Sequence, residues 1–167
     1  AFIGFKNFLR LFQDEVFLKS LAITLKYVLI SVPLKLTFAL LVAYLLTRPS
    51  RMVTFYRSLY YLPSLVGGSV AVALVWKQLF ARKGLFNSVL AEMGMSTINW
   101  FGNQKLALYP LILMSVWQFG SSMIIFAAGL KEIPVSYYEA ARIDGARGYQ
   151  TFFRITLPCL SPIILYN

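Results

Sequence analysis

Three long apolar runs alternate along this chain with shorter stretches that hold most of its charge. The first, residues 21–46, makes about 39 Å of helix at 1.5 Å per residue, which is long enough to cross a bilayer with tilt. Pro33, near its middle, predicts a kink there. Residues 58–80 and 106–130 give a second and a third span. In the second, Gly67, Gly68, Ser69, Ala71 and Ala73 predict small faces for close helix contact. Residues 160–167 open a further apolar run. Ahead of the first span, Phe2, Phe5, Phe8, Leu9 and Phe12 recur near helical spacing. That pattern predicts an amphipathic helix lying at the membrane surface, followed by a polar connection through Gln13-Asp14-Glu15. Residues 81–104 read as a second polar connection, with a short helix near 85–93.

Between the third span and the last apolar run, residues 131–159 carry charges of both signs at high density. Pro134 suits a first helical turn, and Ser136 with Glu139 has the spacing of a capping box, so a helix is expected to start near 134–136. Gly145 can take the left-handed conformation that closes it, and Pro158 ends the next one. The expected product is two short helices around a glycine turn. Ala140 and Ala141 would form a low patch where another backbone approaches closely, flanked by Glu139 and Asp144. Read as a solvated helix alone, Glu139 would pair with Arg142, worth a few tenths of a kcal/mol.

Composition confirms the class. Apolar residues make up 59% of the chain and charged residues 13%, more apolar surface than a soluble core of this size can bury. The net charge of +10 would raise nucleic acid as a partner in a soluble protein. Here the basic residues cluster at the ends of apolar runs, which fits headgroup anchoring and argues against nucleic acid. Arg48, Arg51 and Arg57 share the loop 47–57 without an acid, placing it on the cytoplasmic side and residues 1–20 outside. One cysteine and no histidine exclude an internal disulfide, a His/Cys metal cluster and a His-based triad. No phosphate-binding G-x-x-x-x-G-K-[ST] loop is present, so this chain has no ATPase motif of its own. We therefore expect no catalytic residue, no metal and no cofactor in the chain.

Four residues are candidates for a substrate path. Lys35 falls near the midplane of the first span, where an ionisable group marks function by default, although a structural residue beside the Pro33 kink is the favoured reading. Trp76, with Lys77 and Phe80, reads foremost as an interfacial belt and otherwise as a stacking surface. Trp117 and Gln118, with Ser121 and Ser122, put an aromatic face and hydrogen-bonding groups at mid-bilayer depth. Stacking plus polar contact suits a sugar, and helix-to-helix hydrogen bonding explains the same residues.

The run Glu139-Ala140-Ala141, three residues, Gly145, nine residues, Ile155, one residue, Leu157-Pro158 resembles the EAA signature of binding-protein-dependent ABC importer permeases. The stretches Ala128 to Pro134, Ile143 to Ala146, and Gly84-Leu85-Phe86-Asn87 with Asn99-Trp100 are similar to the carbohydrate-uptake branch of that family. The resemblance implies an all-α polytopic bundle of the type I importer permease kind, of which about three spans are represented. It implies that 131–159 is the cytoplasmic coupling loop, with Glu139, Ala140, Ala141, Asp144 and Gly145 meeting an ATPase subunit. The implied partners are ATPase subunits that bind ATP and Mg²⁺, a second and homologous permease subunit, an extracytoplasmic solute-binding protein and lipid. The implied location is a bacterial or archaeal cytoplasmic membrane, with several crossings. Family permeases have about six spans, so the chain is expected to be an interior piece lacking the first span and those after the loop. Permeases for polyamines, phosphate or metal chelates share the loop. A channel or membrane enzyme is the competing class.

Overall fold

The computed structural model describes residues 4–47 and 52–167. Phe2, Arg48 and Arg51 lie outside the described residues, as does the side chain of Phe8. The described residues form helices joined by short turns and, over residues 93–107, by one longer connection, with no strand among them.

Helix α1 (Lys6–Gln13) leaves Leu9 and Phe12 exposed and is followed at once by α2 (Glu15–Leu45). The expected three-residue connection shrinks to Asp14, so the helix begins at Glu15 rather than at 21. The cause is local: the Asp14 carboxylate accepts from the Val16 N–H at 2.8 Å and the Phe17 N–H at 3.4 Å. That satisfies two of the donors a helix start leaves open, and Glu15 complements the positive end of the dipole. Pro33 lies inside α2 without ending it. Of the described elements, α2 alone is long and apolar enough to cross a membrane unbroken.

The second expected span is two helices, α3 (Val53–Val66) and α4 (Val70–Leu79), bent by 98°. The small residues read as a contact face mark the break. Gly67 leaves room only for the Gln118 side chain, which occupies the place of a Cβ. Ser69 then takes an extended conformation and caps α4, its hydroxyl accepting from the Val72 N–H at 3.3 Å.

The third expected span is likewise a pair, after the short α5 (Leu85–Glu92): α6 (Leu108–Trp117) and α7 (Gly120–Glu132), bent by 44°. At this break the Ser64 hydroxyl of α3 donates to the Gln118 carbonyl at 3.2 Å and accepts from the Ser121 N–H at 3.1 Å. An interrupted helix in apolar surroundings is tolerated where neighbours re-satisfy its backbone, and one hydroxyl does so here.

The core lies between α2 and α7. Ala39 and Ala43, four residues apart on one face of α2, are fully buried against Phe119, Met123, Phe126 and Leu130. Small residues at that spacing let two helices approach closely.

The connection between α4 and α6 folds around Phe80, which stacks on Phe86 at 4.2 Å and meets Trp100 edge-on at 5.5 Å. Asn87, 1% exposed, donates to the carbonyls of Ala81, Arg82 and Ile98 and accepts from the Ile98 N–H at 2.9 Å. Replacing Asn87 with Ala leaves those backbone groups unpaired, a loss of about 2–3 kcal/mol. Amide exchange at Ile98 should then rise at least about tenfold, and unchanged protection would refute the fastening role.

Candidate functional site

The charged loop begins with α8 (Val135–Ile143), capped by Pro134 without a side-chain hydrogen bond. The expected capping box does not form. Pro134 holds an extended ψ of 132° and the helix starts directly after it, so Ser136 sits inside the first turn rather than at the cap. Glu139 and Arg142 are both exposed and form no ion pair, which corrects the expected contact between them. Both charges therefore stay available to an outside partner.

The two alanines do not form one exposed patch. Ala140 is exposed, whereas Ala141 is 7% exposed. Successive helical residues point about 100° apart, so one alanine faces outward and its neighbour faces the fold. Both still line one open groove of about 680 Å³, together with Asp144, Gly145, Thr151 and Arg154.

Gly145 closes α8 with φ at +71°. Its N–H donates to the Arg142 carbonyl at 3.1 Å, and the Ala146 N–H donates to the Ala141 carbonyl at 2.9 Å. This is the Schellman arrangement, which ties off the last open carbonyls of a helix and turns the chain sharply. Helix α9 (Gly148–Thr151) follows, then a π-helical turn (Phe152–Thr156), α10 (Leu157–Cys159) and α11 (Ser161–Tyr166). Pro158 does not end the second helix as expected. In the widened turn before it, the Leu157 N–H donates to the Phe152 carbonyl five residues back, and the helical path runs on through the proline.

The loop is fastened to the long helices. The Tyr138 and Thr156 hydroxyls are hydrogen-bonded at 3.1 Å, and Thr156 is 1% exposed. The Tyr44 ring, near the end of α2, meets Phe152 edge-on at 5.4 Å. Leu160 and Ile133 belong to the same buried cluster as Ala43 and Leu130. None of these contacts was read from the sequence. A hydroxyl inside the apolar run Ile155-Thr156-Leu157 was the available signal for Thr156.

The four path candidates fall into two pairs. Lys35 and Gln118 line a groove of about 420 Å³ between α2 and α6, with Thr24, Tyr27 and Ser115. Trp76 and Trp117 lie edge-on at 5.7 Å in a more apolar cavity of about 530 Å³, with Tyr60, Pro63 and Phe119. Trp76 also stacks on Phe80 at 5.8 Å. Gln118 has a packing role as well, its amide lying 3.5 Å from the Gly67 carbonyl.

Comparison with known proteins places this geometry. The family described as "Binding-protein-dependent transport system inner membrane component" matches residues 16–166. The "Probable ABC transporter permease protein YesP" of Bacillus subtilis (strain 168) is 52% identical over 167 residues, covering 99% of this chain and 54% of that protein. The "Lactose transport system permease protein LacF" of Rhizobium radiobacter is 34% identical over 170 residues, covering 99% of this chain and 57% of that protein. The crystal structure of a bacterial alginate ABC transporter, in complex with an alginate pentasaccharide-bound periplasmic protein, superposes with a TM-score of 0.82. That match is 26% identical and covers 97% of this chain and 57% of the other. The chain spans about half the length of the curated relatives it matches. With the family pattern running through nearly the whole chain and the same helical arrangement found in a solved transporter, this chain belongs to the family of binding-protein-dependent transport system inner membrane components.

Proposed function

We propose that this chain forms part of the transmembrane permease subunit of an ATP-driven importer for a sugar or oligosaccharide. In this reading α2 and the bent pairs α3–α4 and α6–α7 cross a bacterial or archaeal cytoplasmic membrane. A homologous second permease subunit completes the path, and an extracytoplasmic binding protein delivers the substrate. ATP and Mg²⁺ are held by separate ATPase subunits. The relatives named for lactose and the alginate transporter support a carbohydrate cargo.

The observation that carries the reading is the loop 135–159. It presents an unpaired Glu139 and a groove to the outside while sharing one buried core with α2 and α7. Glu139 supplies a carboxylate for a basic group of the ATPase, Ala140 permits close approach, Asp144 adds charge at the rim, and Gly145 sets the angle of the turn. Displacement of the loop by the ATPase then moves the spans as a rigid body and switches access to the path. Along the path, the Trp76–Trp117 pair offers ring faces for stacking, and Lys35 with Gln118 offers polar contact.

The test is recovery of partners with the tagged full-length permease from mild detergent. A Walker-motif ATPase should accompany the wild type. Its recovery should fall at least about tenfold for Glu139→Lys, because a like charge at a docking contact costs several kcal/mol. An intact wild-type permease that brings no ATPase would sink the importer reading.

A further inference from the structure

Lys35 has no partner for its charge among the described residues. The six acids are Asp14, Glu15, Glu92, Glu132, Glu139 and Asp144, so α3, α4 and α6 hold none, and α2 and α7 hold one each, at an end. Among the described residues the Lys35 ammonium forms no hydrogen bond and no ion pair, while its backbone belongs to α2. It lies ten residues before the end of α2, about 15 Å along the helix. Side chains of a helix lean toward its N-terminus, so the Lys35 stem runs away from the nearer end and toward the middle of the span. The groove extends the same way, from Lys35 back to Tyr27, Thr24 and Ile23. A charge so placed in an apolar helix is costly unless it meets water or a counter-charge, and such groups mark transport pathways.

The rest of the groove narrows the counter-charge. Most of the lining is apolar, with Ile23, Leu108, Leu111 and Met114. The polar groups beside Lys35 are the hydroxyls of Tyr27 and Ser115, the Thr24 hydroxyl, which already donates to the Ser20 carbonyl at 2.9 Å, and the Gln118 amide, whose nitrogen lies 3.5 Å from the Gly67 carbonyl. Neutral donors and acceptors beside an aromatic ring suit the hydroxyls and faces of a sugar, and the single cation suits one anionic substituent on it. We propose that Lys35 is a specificity-determining residue that receives the carboxylate of a uronate-containing oligosaccharide in the α2–α6 groove. This assignment rests on the sugar-permease reading given above.

The experiment uses the full-length permease with its partner subunits and binding protein in cells. The cells are supplied with matched disaccharides, one series carrying a hexuronate and the other its carboxyl-reduced neutral counterpart, and uptake is read by mass spectrometry. The binding protein is unchanged between strains, so the ratio of variant to wild type isolates the permease. Wild type should take up the uronate series. Lys35→Gln should lower the uronate-to-neutral uptake ratio by at least about tenfold, the value of one charge-assisted hydrogen bond. Lys35→Arg should keep the preference, and both variants should assemble with the ATPase as wild type does. Neutral-only uptake by wild type, or an unchanged ratio in Lys35→Gln, overturns the assignment while leaving the importer standing. Loss of the preference in Lys35→Arg as well overturns it in favour of a packing role. If wild type takes up neither series in an ATPase-dependent manner, the sugar-permease reading falls and the assignment falls with it.

Discussion

Gly120→Val should prevent the full-length permease from reaching a stable fold. A Cβ at Gly120 would fall inside van der Waals contact of the Tyr60 carbonyl oxygen and the Tyr61 Cα, both backbone atoms of α3. No flexible side chain can yield there, so α3 and α7 must separate. Separation also breaks the Ser64 bridge at 3.2 Å and 3.1 Å and leaves the Gln118 carbonyl and the Ser121 N–H open in apolar surroundings. Overpacking alone costs about 1–3 kcal/mol, and the two open groups add to it, so a loss of at least about 3 kcal/mol is expected. Thermal unfolding and gel filtration in detergent would read this as a lower melting temperature and a lost monodisperse peak. Gly148→Ala, at a position with nothing near its Cβ, is the matched control and should behave as wild type. A Gly120→Val protein that melts like wild type would refute the close approach.

Gly145→Val should disconnect ATP hydrolysis from transport. The position has φ at +71° with open space around it, so the obstacle is the backbone conformation and not crowding. A β-branched residue is a genuine outlier there, and the strain is roughly 1–3 kcal/mol. Relaxing it unwinds the Schellman turn, which frees the Ala141 and Arg142 carbonyls and swings α9 away from α8. The groove that holds Ala140, Asp144 and Arg154 then changes shape. Uptake should drop at least about tenfold with membrane insertion intact. Gly145→Asn, whose side chain tolerates the left-handed region, should retain most of the activity. Equal activity of the Val and Asn variants would mean that the turn does not set the coupling geometry.

Much of the fold could be read from periodicity, because lipid-facing and core-facing positions of a membrane helix are both apolar and long runs leave few alternatives. The pattern therefore located the helical regions but not their breaks. At Gly67-Gly68-Ser69 a hydropathy run passes unbroken over a 98° bend, since the bend depends on one serine capping α4 and one glycine yielding to Gln118. At Gln118-Phe119 the break depends on a hydroxyl from α3 that is remote in sequence. The charged loop was legible as helix, turn, helix, and the left-handed Gly145 followed from residue chemistry alone. Its capping box failed because Pro134 takes the cap position and starts α8 two residues too early for Ser136. The burial of Ala141 and the Tyr138–Thr156 bond are tertiary facts, invisible until α8 meets the helices after it. The pairing of Lys35 with Gln118 and of Trp76 with Trp117 likewise needed α2 and α4 laid beside α6.

The π-helical turn at Phe152–Thr156 acts as a phase shifter. An ordinary helix advances about 100° per residue, so one extra residue taken up in a wide turn rotates everything downstream by roughly that angle. With this offset, Leu160 and Ile163 meet Gly129 of α7, where a side chain would leave them no room. Phe153 and Arg154, within the wide turn, remain exposed. Those five residues thus set the azimuth at which α11 leaves the loop and packs on α7.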